Sequence, residues 1–169
     1  IMNYVRAEKR REKMGHPMND LSLHMVFTGN PGTGKTTIAR LISQILKSIG
    51  VLKRGHMIEV TREDLVGQYV GQTGPKTLEK IKEAYGGVLF IDEAYSLYSA
   101  SENDFGYEAI STLIKEMEDN RDKLVVIMAG YPSEMEQMLS MNSGIRSRIA
   151  YTVDFPDYDT EELTEIFHI

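Results

Sequence analysis

Residues 29–37, GNPGTGKTT, decide how this chain is interpreted, because they contain the pattern G-x-x-x-x-G-K-[ST]. An apolar run, LHMVFT (23–28), precedes them, and TTIARLISQILKSIG (36–50) follows with apolar residues at helical spacing. Glycines allow successive backbone N–H groups to face a phosphate, and a helix N-terminus adds the positive end of its dipole. The sequence therefore predicts a strand, a phosphate-binding loop and a helix, in that order.

The predicted loop supplies a full set of groups for a bound nucleotide. The residues that we expect to contact it are Gly29, Asn30, Pro31, Gly32, Thr33, Gly34, Lys35, Thr36 and Thr37. The Lys35 ammonium is expected to reach the β- and γ-phosphates, and the Thr36 hydroxyl is expected to bind Mg²⁺. The alternative is a glycine-rich turn with a surface lysine, which the strand before it and the helix after it disfavour.

An acidic pair follows a second apolar run, in GGVLFIDEA (86–94). The run is apolar throughout, which is typical of a strand that is buried on both faces. Asp92 is therefore expected at the carboxyl end of that strand, where open α/β sheets bind ligands, and is the second predicted Mg²⁺ ligand. Glu93 could polarise a water molecule for attack on the γ-phosphate. The alternative is an exposed acidic pair that caps the strand.

Strand and helix patterns alternate along the chain. The predicted strands are 23–28, 56–60, 87–92, 123–130 and 150–155, and the predicted helices are 2–14, 36–50, 75–85, 107–119, 132–139 and 159–167. Ser133 and Glu136 form a capping-box pattern at the start of one of these helices. The alternation predicts parallel βαβ units, hence an α/β fold of three layers with a five-stranded parallel sheet flanked by helices.

Composition narrows the classes of function. The chain has 169 residues, the size of one domain, and its formal net charge of −6 argues against a protein that mainly coats nucleic acid. It has no cysteine, which excludes disulfides, thiolate zinc sites and a cysteine nucleophile. No apolar run reaches the roughly 20 residues that span a bilayer. We therefore expect a cytoplasmic protein that acts on neither membranes nor nucleic acid.

Two other classes of phosphate-loop protein are disfavoured. A GTPase would carry an N-K-x-D motif that reads guanine, and the sequence has none. DEAY (92–95) is similar to the DEAD box of helicases, but the match is short and the acidic composition argues against it. A nucleic-acid-dependent ATPase stays a minor alternative.

Four segments together resemble the AAA+ ATPases. They are GNPGTGKTT (29–37), GGVLFIDEAYSL (86–97), VVIMAGY (125–131) and SGIRSRIAYTVDFPDY (143–158). Within that family the chain resembles the CbbX/CfxQ–SpoVK branch, and its sporulation member most of all. The resemblance implies an AAA+ nucleotide-binding α/β subdomain at 21–157. An N-terminal helix and linker at 1–20 would precede it, and the truncated start of a helical lid at 158–169 would follow.

The resemblance also implies ATP and Mg²⁺ as cofactors, ATP hydrolysis, and a homo-oligomeric ring, usually a hexamer, with ATP at subunit interfaces. Lys35, Asp92 and Glu93 would act within one subunit. A neighbour would supply an arginine to the charge that develops on the γ-phosphoryl group, with Arg148 the first candidate and Arg146 the second. Without the resemblance, both would be interpreted as surface arginines before a strand.

A pore loop is the second feature that the resemblance implies. Tyr69, Val70 and Gly71 would face an axial channel and grip a protein substrate, and the alternative is a core tyrosine beneath a loop. The segment 99–105 would form a second pore loop. Gly130 and Tyr131 depart from the family pattern, since many AAA+ proteins have Asn or Thr there to position water.

The expected function is thus an ATP-driven ring that remodels a protein partner through an axial pore, with a role in sporulation. One alternative is a remodeller similar to Rubisco activase. The other is a nucleotide-dependent scaffold that assembles on ATP without threading a partner.

Overall fold

The computed structural model describes residues 22–98 and 104–167. The predicted helix 2–14 and most of the predicted second pore loop lie outside these ranges. The described chain forms one five-stranded sheet with helices on both faces, so the predicted α/β class and the number of strands are confirmed.

Every neighbouring pair of strands in the sheet is parallel. The strands are β1 (His24–Gly29), β2 (Met57–Val60), β3 (Gly87–Ile91), β4 (Leu124–Gly130) and β5 (Ile149–Phe155). Their order across the sheet is β2-β3-β4-β1-β5. Because the strands are parallel, the carboxyl ends of β1, β3 and β4 meet at one edge, and these three are central neighbours.

The helices complete a three-layer arrangement. They are α1 (Lys35–Ser48), α2 (Arg62–Leu65), α3 (Thr73–Glu83), α4 (Gly106–Asp119), α5 (Pro132–Met141), α6 (Ser143–Arg146) and α7 (Thr160–Phe167), with a 3₁₀ turn at Ala94–Leu97. Apolar residues of α1 pack on one face of the sheet, and those of α2 to α6 pack on the other. Strands β3 and β4 are buried along their whole length, which explains their continuous apolar sequences.

One local prediction is wrong. Ser133 does not cap α5, because Pro132 occupies the first turn and Tyr131 is the N-cap, so Ser133 already lies within the helix. Its hydroxyl instead donates to the neighbouring Glu134 carboxylate. Proline is favoured in a first helical turn because that turn leaves N–H groups without a partner in any case.

A capping box does occur where the sequence reading found none. Thr61 precedes the short helix α2, its backbone N–H donates to Asp64 Oδ2 at 2.9 Å, and the reciprocal bond is also present. The short helices α2 and α6 and the 3₁₀ turn were not predicted, because four residues are too few to show a helical period.

His24 is a fully buried histidine in β1. Its Nε2 donates to Met117 O at 2.9 Å, and its Nδ1 accepts from Val126 N at 3.0 Å, which fixes the neutral ring with the proton on Nε2. Burial lowers the pKa of His24, followed by smaller and partly opposing effects of the Met117 carbonyl, Arg148 and Glu118. A second proton would place a donor at Nδ1 against the Val126 N–H.

We therefore expect the chain to lose stability in mild acid through His24. The unfolded state binds this proton first, near pH 6.5. The contribution of neutral His24 to the free energy of unfolding is therefore complete above that pH. It falls as the pH drops toward the lower folded-state pKa, by at most about 1.4 kcal/mol per pH unit. Denaturant unfolding between about pH 7.5 and 5 measures the slope. The variant His24→Gln should flatten it, and equal slopes for the parent and His24→Gln would contradict this prediction.

Candidate functional site

The predicted phosphate loop lies between the end of β1 and the start of α1. Gly29 ends the strand, and Gly34 is the N-cap of α1, with φ of 89°. Gly32 has φ of 80°, so the loop turns twice through conformations that favour glycine. The N-terminus of a 14-residue helix therefore opens directly onto the loop, and its free N–H groups and dipole favour an anion there.

Lys35 closes over the loop. Its Nζ donates to Gly29 O at 2.8 Å and to Asn30 O at 2.6 Å. Both acceptors are neutral carbonyls, and no carboxylate of the described ranges forms an ion pair with the ammonium, which therefore stays available to a phosphate. An entering phosphate would take the place of one or both carbonyls as the acceptor.

Residues after β5 hold the loop from the other side. The Asn30 side chain donates to both Asp157 carboxylate oxygens at 2.9 Å, and Tyr158 Oη donates to Thr33 O at 3.2 Å. Thr33 Oγ1 in turn donates to Asn30 O at 2.8 Å. Asp157 and Tyr158 were not predicted, because they lie more than 120 residues from the loop and belong to no local pattern; the FPDY stretch after a predicted strand is the only sequence signal near them.

The acidic pair follows β3 at the same edge of the sheet. Asp92 N donates to Val60 O at 2.9 Å, which continues the ladder to β2, and Asp92 Oδ1 accepts from Glu93 N at 3.0 Å. Glu93 has φ of 47°, and no other non-glycine residue of the described ranges has a positive φ. Such a conformation costs of order 1 kcal/mol or more and is typical of functional sites.

The loop and the acidic pair line one cleft of about 370 Å³. Its lining is Gly29, Pro31, Gly32, Gly34, Lys35, Thr36, Thr37, Asp92, Glu93, Gly130 and Tyr131. Two of the predicted nucleotide contacts are not part of the lining: Thr33 is buried beneath the loop, and the Asn30 side chain faces Asp157. The other predicted loop residues meet Asp92 and Glu93 there.

The oxygen groups in this cleft suit Mg²⁺ bound together with a nucleotide. Thr36 offers a hydroxyl and Asp92 a carboxylate, and Mg²⁺ commonly takes one or two protein oxygens together with phosphate oxygens and water. Among the residues that the structure describes, no three His, Cys, Asp or Glu side chains form a cluster that could hold a metal alone. The donor set therefore fits a metal that arrives with the phosphates.

The two candidate arginines lie outside the cleft and differ from each other. Arg148 is held within its own chain: Nε lies 3.1 Å from Glu118 Oε2, and Nη1 donates to Gly144 O at 2.8 Å. Arg146 is exposed and lines a separate groove between α5 and β5. Arg146 is thus the more outward-facing of the two, although Arg148 is the first candidate from sequence, and a role for either arginine at a neighbouring subunit stays a prediction.

The predicted pore loop is a protruding turn between α2 and α3. Tyr69 is 69% exposed and Val70 is 85% exposed, which excludes the alternative of a core tyrosine. Gly67 fits closely at the base, where a Cβ would lie 2.6 Å from Gln72 Cβ, whereas Gly71 at the tip is open. Of the predicted second loop, only 104 and 105 are described, and Asp104 is paired with Arg62.

Comparison with known proteins identifies the family. Residues 25–156 match the family described as "ATPase family associated with various cellular activities (AAA)". The chain belongs to the AAA family. The AAA match begins in β1, ends just after β5, and includes the phosphate loop and the acidic pair.

Relatives within the AAA family agree with the branch that the sequence resembles. The chain is 57% identical to Protein CfxQ of Xanthobacter flavus, over 94% of this chain and 50% of the relative. It is 53% identical to the chloroplastic ribulose bisphosphate carboxylase/oxygenase activase of Cyanidioschyzon merolae, over 95% and 55%. It is 49% identical to stage V sporulation protein K of Bacillus subtilis, over 98% and 52%.

The chain thus spans about half the length of these curated relatives. Identity to the sporulation protein is lower than to the other two, so the preference for the sporulation member within the branch gains no support from identity. Among solved structures, the FIGL-1 AAA domain in complex with ADP superposes with a TM-score of 0.63 at 21% identity, covering 94% of this chain and 51% of that one. At that identity the likeness bears on the fold alone.

Within the described ranges, no helix is both long and apolar enough to cross a membrane.

Two glycines of the loop provide a matched test of its packing. A Cβ at Gly29 would lie 2.4 Å from Phe155 O, a rigid backbone atom of β5, whereas a Cβ at Gly32 would meet no atom within 4 Å. Gly32→Ala should cost only the backbone strain, about 1–2 kcal/mol. Gly29→Ala should cost about 1–3 kcal/mol more, because the new methyl group would also push β1 away from β5. Denaturant unfolding of both variants measures the difference, and equal losses would contradict the described contact.

Proposed function

We propose that this chain binds Mg-ATP in the cleft at the carboxyl edge of the sheet and hydrolyses it to ADP and phosphate. The observation that carries the proposal is the meeting of Lys35, Thr36, Asp92 and Glu93 in one cleft at the N-terminus of α1. Membership of the AAA family supports it. The region 21–157 would be the nucleotide-binding subdomain, with 1–20 a preceding helix and linker and 158–169 the start of a helical lid.

Each functional group in the cleft would have its own role in binding or hydrolysing ATP. The loop N–H groups and the Lys35 ammonium would bind the β- and γ-phosphates, and the two neutral carbonyls that hold Lys35 would keep it aimed at them. Thr36 and Asp92 would hold Mg²⁺, which when bound neutralises charge that develops on the phosphate oxygens. Glu93 would accept a proton from the water that attacks the γ-phosphate.

A ring assembly accounts for the placement of the arginines. Neither lines the cleft of its own chain, yet the charge of the transition state calls for a cation near the γ-phosphate. Arg146 is exposed and could reach the cleft of a neighbouring copy, which a homo-oligomeric ring, usually a hexamer in this family, would place beside it. Arg148 would then support Arg146 from the next turn through its own contacts with Glu118 and Gly144.

The exposed turn at Tyr69 points to a protein as the substrate. An aromatic and an aliphatic side chain stand together at its tip, and they could grip an unfolded chain without reading its sequence. Two biological settings are equally supported. Relatives include a stage V sporulation protein and a ribulose bisphosphate carboxylase/oxygenase activase, so the partner could belong to sporulation or be Rubisco.

A scaffold that assembles on ATP without threading a partner is the second candidate function. The observation that favours it is Gly130 with Tyr131 at the end of β4, where none of the described residues that line the cleft offers an amide side chain to position water. Slow turnover with stable assembly would suit such a role.

Replacing Glu93 by Gln tests hydrolysis. In the full-length protein, Glu93→Gln should lower kcat at least about 100-fold while the Kd for Mg-ATP changes less than about threefold, because the amide keeps the size of the side chain but cannot accept the proton. Glu79→Gln, an exposed glutamate of α3, is the matched control and should keep the parental rate. Parental turnover in Glu93→Gln would remove Glu93 from the mechanism.

Replacing Tyr69 separates the motor from the scaffold. Tyr69→Ala should abolish ATP-dependent remodelling of the partner and leave ATP turnover within about twofold, because the exposed ring would contact only the substrate. Tyr69→Phe keeps the aromatic surface and should retain remodelling. Remodelling that survives Tyr69→Ala would favour the scaffold, and the assay is release or unfolding of a labelled partner.

A further inference from the structure

Gly130 is a glycine because another side chain fills the space beside it. A Cβ at this position would lie 2.7 Å from Tyr95 Cδ1 and 2.8 Å from Met135 Sδ. Both distances are too short for real contacts, so a side chain at the end of β4 would displace Tyr95 or Met135. The ring of Tyr95 takes that place against the floor of the phosphate cleft.

Tyr95 reaches this place from the acidic pair itself. It belongs to the 3₁₀ turn that begins directly after Glu93, and Ser96 N donates to Glu93 O at 2.8 Å, which closes the turn. The Tyr95 ring also contacts Tyr131, a lining residue of the cleft, with centroids 6.0 Å apart at an interplanar angle of 40°. Gly130 and Tyr131 therefore border the ring on two sides.

The electrostatic surroundings keep the Tyr95 hydroxyl protonated. Burial raises the pKa of Tyr95, and the charge of Glu93 raises it further, followed by smaller effects of Tyr131, of a side-chain hydrogen bond with Glu93 and of Glu134. A neutral phenol is a hydrogen-bond donor, and the largest charge that acts on it is the Glu93 carboxylate. Within the described ranges, Glu93 forms no ion pair with a lysine or arginine that could hold it instead.

We infer that Tyr95 is a positioning residue for Glu93, whose carboxylate it holds by donating the phenolic hydrogen to one oxygen while the other oxygen faces the attacking water. This inference rests on the proposed ATP hydrolysis and deepens it. Glu93 is exposed and its side chain has three rotatable bonds, so without a donor the carboxylate would sample several orientations. A general base acts only within hydrogen-bond reach of its proton, so the lost orientation lowers the rate.

This arrangement also gives a physical reason for the departure at Gly130 and Tyr131. A side chain at 130 would displace the Tyr95 ring, and the aromatic contact with Tyr131 would be lost with it. The orientation of the Glu93 carboxylate would then be set by the Tyr95 phenol on the 3₁₀ turn, rather than by an amide side chain on β4.

The test is Tyr95→Phe in the full-length protein, with Tyr98→Phe as the matched control. Tyr98 follows the same 3₁₀ turn, is 37% exposed, and lines the same groove beside α5 as Tyr95, whereas neither tyrosine lines the phosphate cleft. Tyr95→Phe keeps the ring and its packing, so we expect Tm, KM and the Kd for a fluorescent ATP analogue to stay at the parental values while kcat falls about tenfold. Tyr98→Phe should match the parent in all four.

A double-mutant cycle shows whether the effect passes through Glu93. In single-turnover measurements on Glu93→Gln, adding Tyr95→Phe should cause no further loss, because the base is already absent. An equal tenfold loss in both backgrounds would overturn the inference, as would parental kcat in Tyr95→Phe or a fall in Tm that accompanies the fall in rate. A parent protein without turnover would overturn the proposed function and this inference together, whereas a parent that turns over beside an unaffected Tyr95→Phe would overturn the inference alone.

Discussion

The parallel pairing of β1, β4 and β3 is the constraint on which the rest of the structure depends. It brings the loop after Gly29, the end of β4 at Gly130 and the acidic pair after Ile91 to one edge of one sheet. These segments lie far apart in the sequence, and hydrogen bonds between buried strands fix their positions to within a residue. Burial of β3 and β4 on both faces makes this edge rigid, and a rigid edge can support a strained Glu93 and a loop that exposes its N–H groups.

Local patterns were enough to predict the parts of the site that each depend on a short stretch of sequence. The loop at 29–37, the acidic pair and all five strands are found where the periodicity indicated, because each follows from apolar pattern and glycine placement. The same reasoning failed at Ser133, because the fixed φ of Pro132 suits a first turn and the N-cap is Tyr131, two residues before Ser133. It could not predict that Asp157 and Tyr158 hold the loop, because contacts across more than 120 residues depend on the order of strands, which local patterns do not specify.

The two candidate arginines, Arg146 and Arg148, also have contacts that local sequence patterns could not predict. IRSRI contains two arginines, of which the resemblance ranks Arg148 first, and the contacts of each side chain become visible only in three dimensions. Arg148 is engaged by Glu118 and Gly144, and Ser22 donates to its carbonyl at 2.6 Å, whereas Arg146 extends from the last turn of α6. Among the described residues, the cleft brings together the loop and the acidic pair with no arginine in its lining, and under the proposed function a second copy of the chain would supply one.

The most direct measurement of this account is ATP turnover per subunit as a function of protein concentration, in the full-length protein and in Arg146→Ala and Arg148→Ala. The account predicts that turnover per subunit rises with concentration and reaches a plateau, that Arg146→Ala abolishes it at every concentration, and that Arg148→Ala weakens it less. Turnover per subunit that is independent of concentration and unchanged by Arg146→Ala would contradict the account, because the site would then be complete within one chain.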